Sequence, residues 1–290
     1  MLEKALKIVE DRVSGSSQIS LNLLNFLEKI LPYEGRPEDT AEMLCELYKM
    51  ALRRRSMVSP VNLVWIIKES YRLSLESGEP GASLRTIVAN VKRMYVEALG
   101  SAVRGAERLL ERCDKVLTLS KSSQVSATLK RLHRLEVRVL AGWPLMDGVS
   151  AQNELVKAGV KARLFPDLSI YEALEDVDAV FLGCDAVLTD GSAVNRSGSK
   201  MAAAAARELG VRVIVIGDST KLDVNRLWEP EEWSLTIEGN SVEFQVFEKI
   251  GSEKVSEYVF EFGSSTPLDV VARAQREVTV TWPRRAAGLE

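Results

Sequence analysis

Residues 178–221 read DAVFLGCDAVLTDGSAVNRSGSKMAAAAARELGVRVIVIGDSTK, and this stretch decides the fold. It begins with a short apolar run, Ala179 to Leu182, which predicts a buried strand. A polar loop follows, and Ser197-Gly198-Ser199 then opens an alanine-rich helix from about Met201 to Leu209. Val211 to Ile216 is β-branched and nearly apolar throughout, as expected for a parallel strand that is covered on both faces. The stretch therefore predicts one strand–helix–strand unit of a parallel α/β sheet.

The loop after the first of these strands concentrates polar groups where the ligands of such sheets bind, at the carboxyl end of a strand. Asp185 and Asp190 lie in this loop, and free N–H groups at the start of the next helix suit a phosphate. The alternative is that Asp185 only caps a turn and that the loop is only a connection. The predicted anion site consists of Asn195, Arg196, Ser197, Gly198, Ser199 and Lys221.

The rest of the chain divides into two regions by its periodicity. Residues 1–113 read as five helices, with breaks at Gly15, Pro32 and residues 77–83, and predict a compact helical domain. From Lys115 onward, apolar strand patterns alternate with helical patterns, which predicts a mostly parallel sheet with helices on both faces. We therefore expect a Rossmann-like α/β domain over 114–282, with VTVTW as a last edge strand and a disordered tail over 283–290.

Composition bounds the class of protein. The 290 residues are 46% hydrophobic and 27% charged, which is typical of a soluble globular chain. No run approaches the roughly 18 apolar residues of a membrane helix, and the N-terminus resembles neither a signal nor a transit peptide. The formal net charge of −3 argues against nucleic-acid binding driven by bulk charge. We expect a cytoplasmic protein that contacts neither a membrane nor nucleic acid directly.

Cysteine and histidine usage narrows the chemistry. Cys45, Cys113 and Cys184 form no motif, so reduced thiols are expected. The single histidine, His133, lies in the charged segment KRLHRLE and is predicted to be a surface residue. Because a zinc site or a histidine-based triad would lack ligands, the sequence predicts no metal and no cofactor.

Several motifs together resemble one known family. Gly183-Cys184-Asp185-Ala186, followed by Asn195 to Ser199 and a helix, is similar to its signature Gly-Ala-Asp-Ala, spacer, Asn-Lys-x-Gly-Thr. The family joins the regulatory α, β and δ subunits of translation initiation factor 2B to methylthioribose-1-phosphate isomerase and archaeal ribose-1,5-bisphosphate isomerase. The resemblance extends along nearly the whole chain, through Ser14 to Ile19, Arg55 to Asn62, Ser219 to Lys221, and Thr266-Pro267.

The resemblance implies a particular pair of catalytic positions. The isomerases move protons with an acidic residue and a cysteine while an aldose phosphate becomes a ketose phosphate. Asp185 matches the acid, but Ser120 stands at the place of the cysteine. A serine hydroxyl is a far poorer acid than a thiol with a pKa of about 8.5. Cys184 is no replacement, because adjacent residues on a strand point to opposite faces.

The phosphate clamps of the isomerases are also altered. Ala141-Gly142-Trp143-Pro144 stands where the isomerases have Glu-x-Arg-Pro, and tryptophan cannot make the bidentate contact of an arginine. Ser16-Ser17 occupies the region of a second, N-terminal arginine. Arg55 resembles a third family arginine that reaches the pocket from the helical domain. The alternative is that Arg55 belongs to a solvated face formed by Arg53 to Arg55.

These differences favour a non-catalytic member of the family. The sequence predicts an initiation factor 2B-like regulatory or binding protein with a vestigial pocket for a sugar phosphate or nucleotide. As the resemblance implies, we expect a homodimer through the α/β domain and a translation-factor partner. Two alternatives stay open: an active aldose-phosphate to ketose-phosphate isomerase, and an assembly subunit with an empty pocket.

Overall fold

The structure, a computed structural model, describes residues 2–30, 36–77 and 82–289. The breaks expected at Pro32 and within 78–81 lie outside these ranges. The N-terminal part consists of α-helices whose apolar residues recur at helical spacing and pack into one core. These helices are α1 (Leu2–Val9), α2 (Ser16–Ile30), α3 (Pro37–Ala51), α4 (Val58–Glu76) and α5 (Leu84–Leu110).

A seven-stranded sheet forms the centre of the second part. Its order is β12-β11-β7-β4-β1-β2-β3, and all neighbouring strands are parallel except the pair β11 and β12. Two of its strands, β4 and β7, match the runs Ala179 to Leu182 and Val211 to Ile216, which the sequence analysis assigned to the parallel sheet. The strands are β1 (Lys115–Leu119), β2 (Glu136–Leu140), β3 (Lys161–Phe165), β4 (Ala179–Gly183), β7 (Arg212–Ile216), β11 (Glu257–Phe260) and β12 (Gly263–Ser265).

Two small antiparallel sheets complete the β structure. The loop after β4 and the chain near residue 247 form a three-stranded sheet, which the sequence analysis did not predict. Its strands are β5 (Ala186–Val187), β6 (Ala193–Arg196) and β10 (Phe247–Ile250). A separate hairpin consists of β8 (Glu232–Ile237) and β9 (Asn240–Gln245).

Helices cover both faces of the main sheet. The bounds of the remaining helices are α6 (Ser123–Leu129), α7 (Asp147–Lys157), α8 (Ile170–Ala173), α9 (Ser199–Glu208), α10 (Pro267–Arg276) and α11 (Trp282–Ala286). Thr266 caps α10 through its side chain, which accepts from the Asp269 N–H, and Pro267 takes the first helical position. No helix in the described ranges combines the length and the apolar character that crossing a bilayer requires.

The C-terminal segment differs from the prediction in two ways. Glu277–Thr281 is a π-helical segment and not an edge strand, and Trp282–Ala286 is a helix and not a disordered tail. Val278, Trp282 and Ala286 are buried in the core of the N-terminal helices. The prediction was wrong because the apolar residues of this segment recur at helical spacing and pack against the N-terminal helices. This tertiary contact could not be inferred from the polar composition of residues 283–290. The domain boundary at 113/114 stays a prediction.

The strand order places a crevice beside β1 and β4. From β1 the chain moves outward through β2 and β3, and it then returns to β4 on the other side of β1. Ligands of open α/β sheets bind at such a reversal, outside the carboxyl ends of the strands. Ser120 directly follows β1, and Cys184 and Asp185 directly follow β4.

Candidate functional site

A cavity of about 550 Å³ lies at this reversal. Its described walls include the loop after β1, the turn before α7, the loop after β4, the end of β6, Lys221 and the start of α2. The loops after β1 and β4 approach so closely that a Cβ at Gly183 would lie 2.5 Å from Ser122 Oγ. Glycine at position 183 is therefore required for the two loops to meet.

Asp185 lies on the wall of the cavity, and its carboxylate accepts no hydrogen bond from the described residues. Its backbone N–H donates to Val194 O at 2.8 Å, which fixes the residue against β6. Burial raises the pKa of the Asp185 carboxyl above its ordinary value, and the positive charges of Lys221, Arg196 and Arg54 only partly offset this effect. Asp185 is therefore a carboxyl group that faces the cavity and holds a proton more readily than an exposed aspartate does.

Lys221 is the cation of the cavity wall without a carboxylate partner. Its Nζ donates to Cys184 O at 2.5 Å, and no described carboxylate oxygen lies within ion-pair distance. Burial alone would lower the pKa of Lys221, but neighbouring Cys184, Asp218 and Asp185 raise it above its ordinary value. The ammonium group therefore stays charged at neutral pH.

Cys184 also borders the cavity, but it is not a reactive thiol. Burial raises the pKa of Cys184 to about 12, so a thiolate does not form at neutral pH. Its Sγ instead contacts Ile216 O at 3.5 Å. This geometry agrees with the expectation that Cys184 does not replace the cysteine of the isomerases.

A chain of contacts joins Ser120, Asp147 and Arg196 along one wall. Ser120 Oγ donates to Asp147 Oδ2 at 2.9 Å, and Arg196 Nε lies 3.1 Å from the same carboxylate oxygen. Ser120 itself has a φ of 68°, a left-handed conformation that turns the chain sharply after β1. The hydroxyl at the family's cysteine position is thus engaged with a carboxylate that is already ion-paired.

Arg196 is held from two further directions. Its guanidinium lies 5.0 Å from the ring centroid of Phe247 and 6.0 Å from that of Trp233. Such stacking restricts the guanidinium to one plane. Nη1 of Arg196 is buried and makes no hydrogen bond with a described residue. Arg196 therefore keeps one donor that no described residue uses.

The first turn of α2 forms another polar wall. Ser16 and Ser17 are both buried and both line the cavity. Ser16 Oγ has no hydrogen-bond partner among the described residues. The first N–H groups of a helix have no carbonyl one turn earlier and carry partial positive charge. The start of α2 therefore offers unused donors to an anionic group.

The start of α9 does not offer such a site, which corrects the predicted position of the anion site. A Glu248 carboxylate oxygen accepts from the Lys200 N–H at 2.7 Å, so a side chain already occupies this helix N-terminus. The Gly198 N–H also donates to Glu248. These two hydrogen bonds lower the pKa of the Glu248 carboxyl, but burial has the larger effect and raises that pKa above its ordinary value. Ser199 is fully buried, where its Oγ accepts from Asn195 Nδ2 at 3.0 Å.

The six predicted anion-site residues are thus divided. Asn195, Arg196 and Lys221 line the cavity, whereas Ser197, Gly198 and Ser199 do not. Ser197 Oγ instead donates to Gln245 O at 2.5 Å. The ligand-binding role of the first three residues stays a prediction.

Arg55 does not line the cavity either. Its Nη1 lies 2.6 Å from Glu229 Oε1, and its side chain is 41% exposed. Arg54 is the buried arginine of this segment. It donates to Asp11 O, lies 3.3 Å from Glu231 Oε2, and its charge acts on Asp185. Arg54 does not line the cavity either, so it acts on the site only through its charge.

Trp143 lies in the turn before α7, with its side chain 57% exposed. The N–H groups of Gly142 and Trp143 donate to the two carboxylate oxygens of Asp167 at 2.9 and 2.8 Å. This turn brings no cation to the cavity. The described wall of the cavity balances three cations, Lys121, Arg196 and Lys221, against three acids, Asp147, Glu154 and Asp185.

Metal chemistry has few candidate ligands here. Within residues 2–30, 36–77 and 82–289, no group of three or more histidine, cysteine, aspartate or glutamate side chains is placed to hold a metal ion. His133 lies in the charged segment KRLHRLE, is exposed, and does not line the cavity. The chemistry that the site offers is therefore that of hydroxyls, carboxyls, an ammonium and helix N–H groups.

Comparison with known proteins identifies the family. The Initiation factor 2 subunit family matches residues 12–271, and the chain belongs to this family. A ribose 1,5-bisphosphate isomerase of Archaeoglobus fulgidus is 25% identical over 236 residues, covering 79% of this chain and 74% of the relative. The eIF2B delta subunit of Dictyostelium discoideum is 21% identical over 235 residues, covering 76% of this chain but 38% of that subunit.

A solved structure carries the same fold. The translation initiation factor eIF-2B of Pyrococcus horikoshii aligns with a TM-score of 0.78 at 18% identity, covering 93% of this chain and 98% of that one. The predicted family and the predicted fold class, a helical region followed by a mostly parallel α/β sheet, are therefore confirmed. Relatives with both kinds of name, isomerase and initiation-factor subunit, belong to the family.

Sequence reasoning missed Asp147 on the cavity wall, and Arg54 and Glu248 outside it. Asp147 follows the turn at Trp143. The sequence analysis considered the charges that this turn lacks and did not consider the carboxylate of Asp147. Arg54 was available from the sequence, because aligning Ser56-Met57 with the family's Arg-Pro-Ser-Met places the arginine at 54. Glu248 lies about 50 residues from the helix that it caps, and no local pattern announces that contact.

Proposed function

We propose that this protein is a regulatory or binding member of its family that holds a small, singly phosphorylated ligand, a sugar phosphate or nucleotide, without converting it. The observation that carries the proposal is the hydrogen bond of Ser120 Oγ to Asp147 Oδ2, at 2.9 Å, beside the Asp147–Arg196 ion pair. A hydroxyl that donates its hydrogen bond to an ion-paired carboxylate is poorly placed to donate a proton to a substrate.

The anionic group of the ligand has a favoured place in this proposal. Lys221 supplies a charge without a carboxylate partner among the described residues, and the start of α2 supplies N–H groups and the unused hydroxyl of Ser16. Charge-assisted bonds of this kind are the stronger ones in proteins. Asn195 and the unused Nη1 of Arg196 lie on the same cavity wall.

A second phosphate has no comparable place. The turn at Trp143 brings no cation, and Lys121, the remaining cation of the described wall, lies 3.3 Å from a Glu154 carboxylate oxygen. Asp147 and Glu154 would repel a second anion. A ligand with one phosphate and neutral hydroxyls therefore suits the cavity better than a bisphosphate does.

Titration with matched pairs of compounds tests this proposal. Ribose 5-phosphate and adenosine monophosphate should raise the melting temperature and bind saturably, whereas ribose and adenosine should not. Lys221→Met should weaken binding at least tenfold, or about 1.4 kcal/mol. The matched control, Lys121→Met, removes a cation that is already paired and should change the Kd less than threefold. Equal binding of the unphosphorylated compounds, or of both variants, would contradict the proposal.

A second function, aldose-phosphate to ketose-phosphate isomerisation, is favoured by one observation. The Asp185 carboxyl faces the cavity without a described hydrogen-bond partner, and burial raises its pKa, as suits a group that exchanges protons. The relative from Archaeoglobus fulgidus is named ribose 1,5-bisphosphate isomerase. Turnover of either family substrate that is abolished by Asp185→Asn would favour this function over the first.

Assembly is the remaining part of the proposal. Among relatives with this fold, one solved structure is a tetrameric complex of eIF2B β and δ subunits. We propose that this chain forms a homodimer through its α/β part and contacts a translation factor. Light scattering on the purified protein should give about twice the chain mass of 32.1 kDa, and a monomer at micromolar concentration would contradict it.

A further inference from the structure

Lys221 lies in a short 3-10 turn, Ser219–Lys221, that is buried under the N-terminal helices. The turn follows β7, and its last residue contributes the ammonium group to the cavity. A lysine side chain has four rotatable bonds, so the position of its charge depends on how firmly its backbone is held. Glu261 accepts from the Ser219 N–H, and further contacts that hold this backbone come from α4.

Asn62 on α4 bridges the two sides of Lys221. Its Nδ2 donates to Thr220 O at 2.7 Å and to Leu222 O at 2.7 Å. These carbonyls belong to the residues directly before and after Lys221. The Asn62 side chain is 3% exposed, so both bonds lie away from water, where losing them is costly. One amide group therefore holds the carbonyl of the residue before the cavity lysine and the carbonyl of the residue after it.

Ser59, one helical turn before Asn62, holds the same turn by a second route. Its Oγ lies 2.7 Å from Thr220 Oγ1, and Thr220 Oγ1 in turn donates to Asp218. Residues three apart lie on the same face of a helix. Ser59 and Asn62 thus both contact residues 218–222 from one face of α4.

We infer that Asn62 is a positioning residue for the site: it acts through Lys221 and sets where the cavity's unpaired ammonium lies. The binding test of this inference rests on the proposed function, because it needs a bound phosphorylated compound. The spectroscopic test does not. Asn62 does not line the cavity, so it contacts no ligand there. Its hydrogen bonds to two backbone carbonyls link the helical region to the proposed phosphate site.

A double-mutant cycle on ligand affinity separates positioning from general stability. Asn62→Ala should raise the Kd for ribose 5-phosphate at least tenfold in the natural background. In the Lys221→Met background the same change should raise the Kd less than twofold, because the group through which Asn62 acts is gone. The matched control is Ser70→Ala, a fully buried polar residue of α4 that bonds only within its own helix. It should leave the Kd unchanged.

The second test needs no ligand. Lys221 lowers the pKa of Asp185, so a displaced ammonium should let that pKa rise further. Carboxyl ¹³C NMR, with Asp185→Asn to assign the signal, should show a rise in Asn62→Ala and a rise in Lys221→Met. The double variant should show no rise beyond that of Lys221→Met alone.

The outcomes distinguish the inference from the proposed function. If the natural protein binds no phosphorylated compound but Asn62→Ala raises the Asp185 pKa, the proposed function fails and the inference stands. If Asn62→Ala does not fold, Asn62→Ser replaces it, since a serine can bond to its own helix as Ser70 does. A folded variant with an unchanged Asp185 pKa, or an affinity loss that is the same in both backgrounds, would overturn the inference.

Discussion

Ser120 Oγ, directly after β1, donates a hydrogen bond of 2.9 Å to Asp147 Oδ2 at the start of α7. The same oxygen lies 3.1 Å from Arg196 Nε at the end of β6. One carboxylate therefore contacts both the hydroxyl at the family's cysteine position and a largely buried arginine of the cavity wall. The base that Ser120 contacts is thus a carboxylate that is already ion-paired.

Asp147→Asn should tighten the binding of phosphorylated compounds. The change removes a negative charge from the cavity and releases the Arg196 guanidinium, so a phosphate experiences a more positive site. We expect the Kd for ribose 5-phosphate to fall roughly threefold or more. Asp190→Asn is the control, because Asp190 pairs with Lys249 outside the cavity. Weaker binding by Asp147→Asn would contradict a repulsive role for this carboxylate.

Glu248→Ala should lower stability without affecting the cavity. Glu248 caps α9 by accepting the Lys200 N–H at 2.7 Å, and losing a helix cap costs about 1 kcal/mol. Urea denaturation should show this decrease in the free energy of unfolding, while the Kd for ribose 5-phosphate should not change. Glu243→Ala on the exposed face of β9 is the control. A large gain of affinity in Glu248→Ala would restore the start of α9 as the anion site, since the change frees its N–H groups.

Glu261 should make stability depend on pH. Burial raises the pKa of Glu261 to about 7, from its ordinary 4.5, and the neighbouring Asp218 adds to this rise. The folded state thus favours the protonated form. This contribution is complete below pH 4.5 and is lost as the pH rises toward 7. The difference corresponds to at most about 3 kcal/mol.

The test for Glu261 is urea denaturation of the natural protein and of Glu261→Gln between pH 5 and 8. The natural protein should lose stability over this range, and the variant should lose less. Asp185 and Asp218 also have raised pKa values, so some dependence should persist in the variant. Identical pH profiles for the two proteins would contradict the assignment to Glu261.

Trp282→Ala should destabilise the helical part strongly. Trp282 is 3% exposed and belongs to the core that α4 and α5 share. Truncating a buried tryptophan costs about 3–5 kcal/mol. Arg284→Ala, on the exposed face of α11, should change the free energy of unfolding by less than about 0.5 kcal/mol. Equal effects of the two changes would mean that this segment does not pack.

The sequence predicted the parts of the fold that local periodicity determines. The apolar run of β4 and the alanine-rich α9 have strand and helix periods that need no tertiary information. The segment Glu277–Thr281 has strand-like alternation, but it joins α10 to α11, and its Val278 is buried in the core of the N-terminal helices. There the tertiary contact overrides the local pattern.

The same distinction applies to the site. Asp185 could be predicted because it follows a strand that ends at the ligand-binding edge of the sheet, whereas Ser120 was predicted from the family resemblance. The closing of the α9 N-terminus by Glu248 and the bridging of Lys221 by Asn62 join residues far apart in the chain. Neither contact has a local signature, so neither could be predicted from the sequence.

The most direct test is ³¹P NMR of the purified protein with ribose 1,5-bisphosphate, methylthioribose 1-phosphate and ribose 5-phosphate. Our account predicts saturable shifts for the singly phosphorylated compounds and no ketose signal from any of them. Ser120→Cys should yield little or no turnover, because the turn at Trp143 still lacks a cation. Turnover in the usual enzymatic range of about 1–10³ s⁻¹ by the natural protein, abolished by Asp185→Asn, would contradict the account.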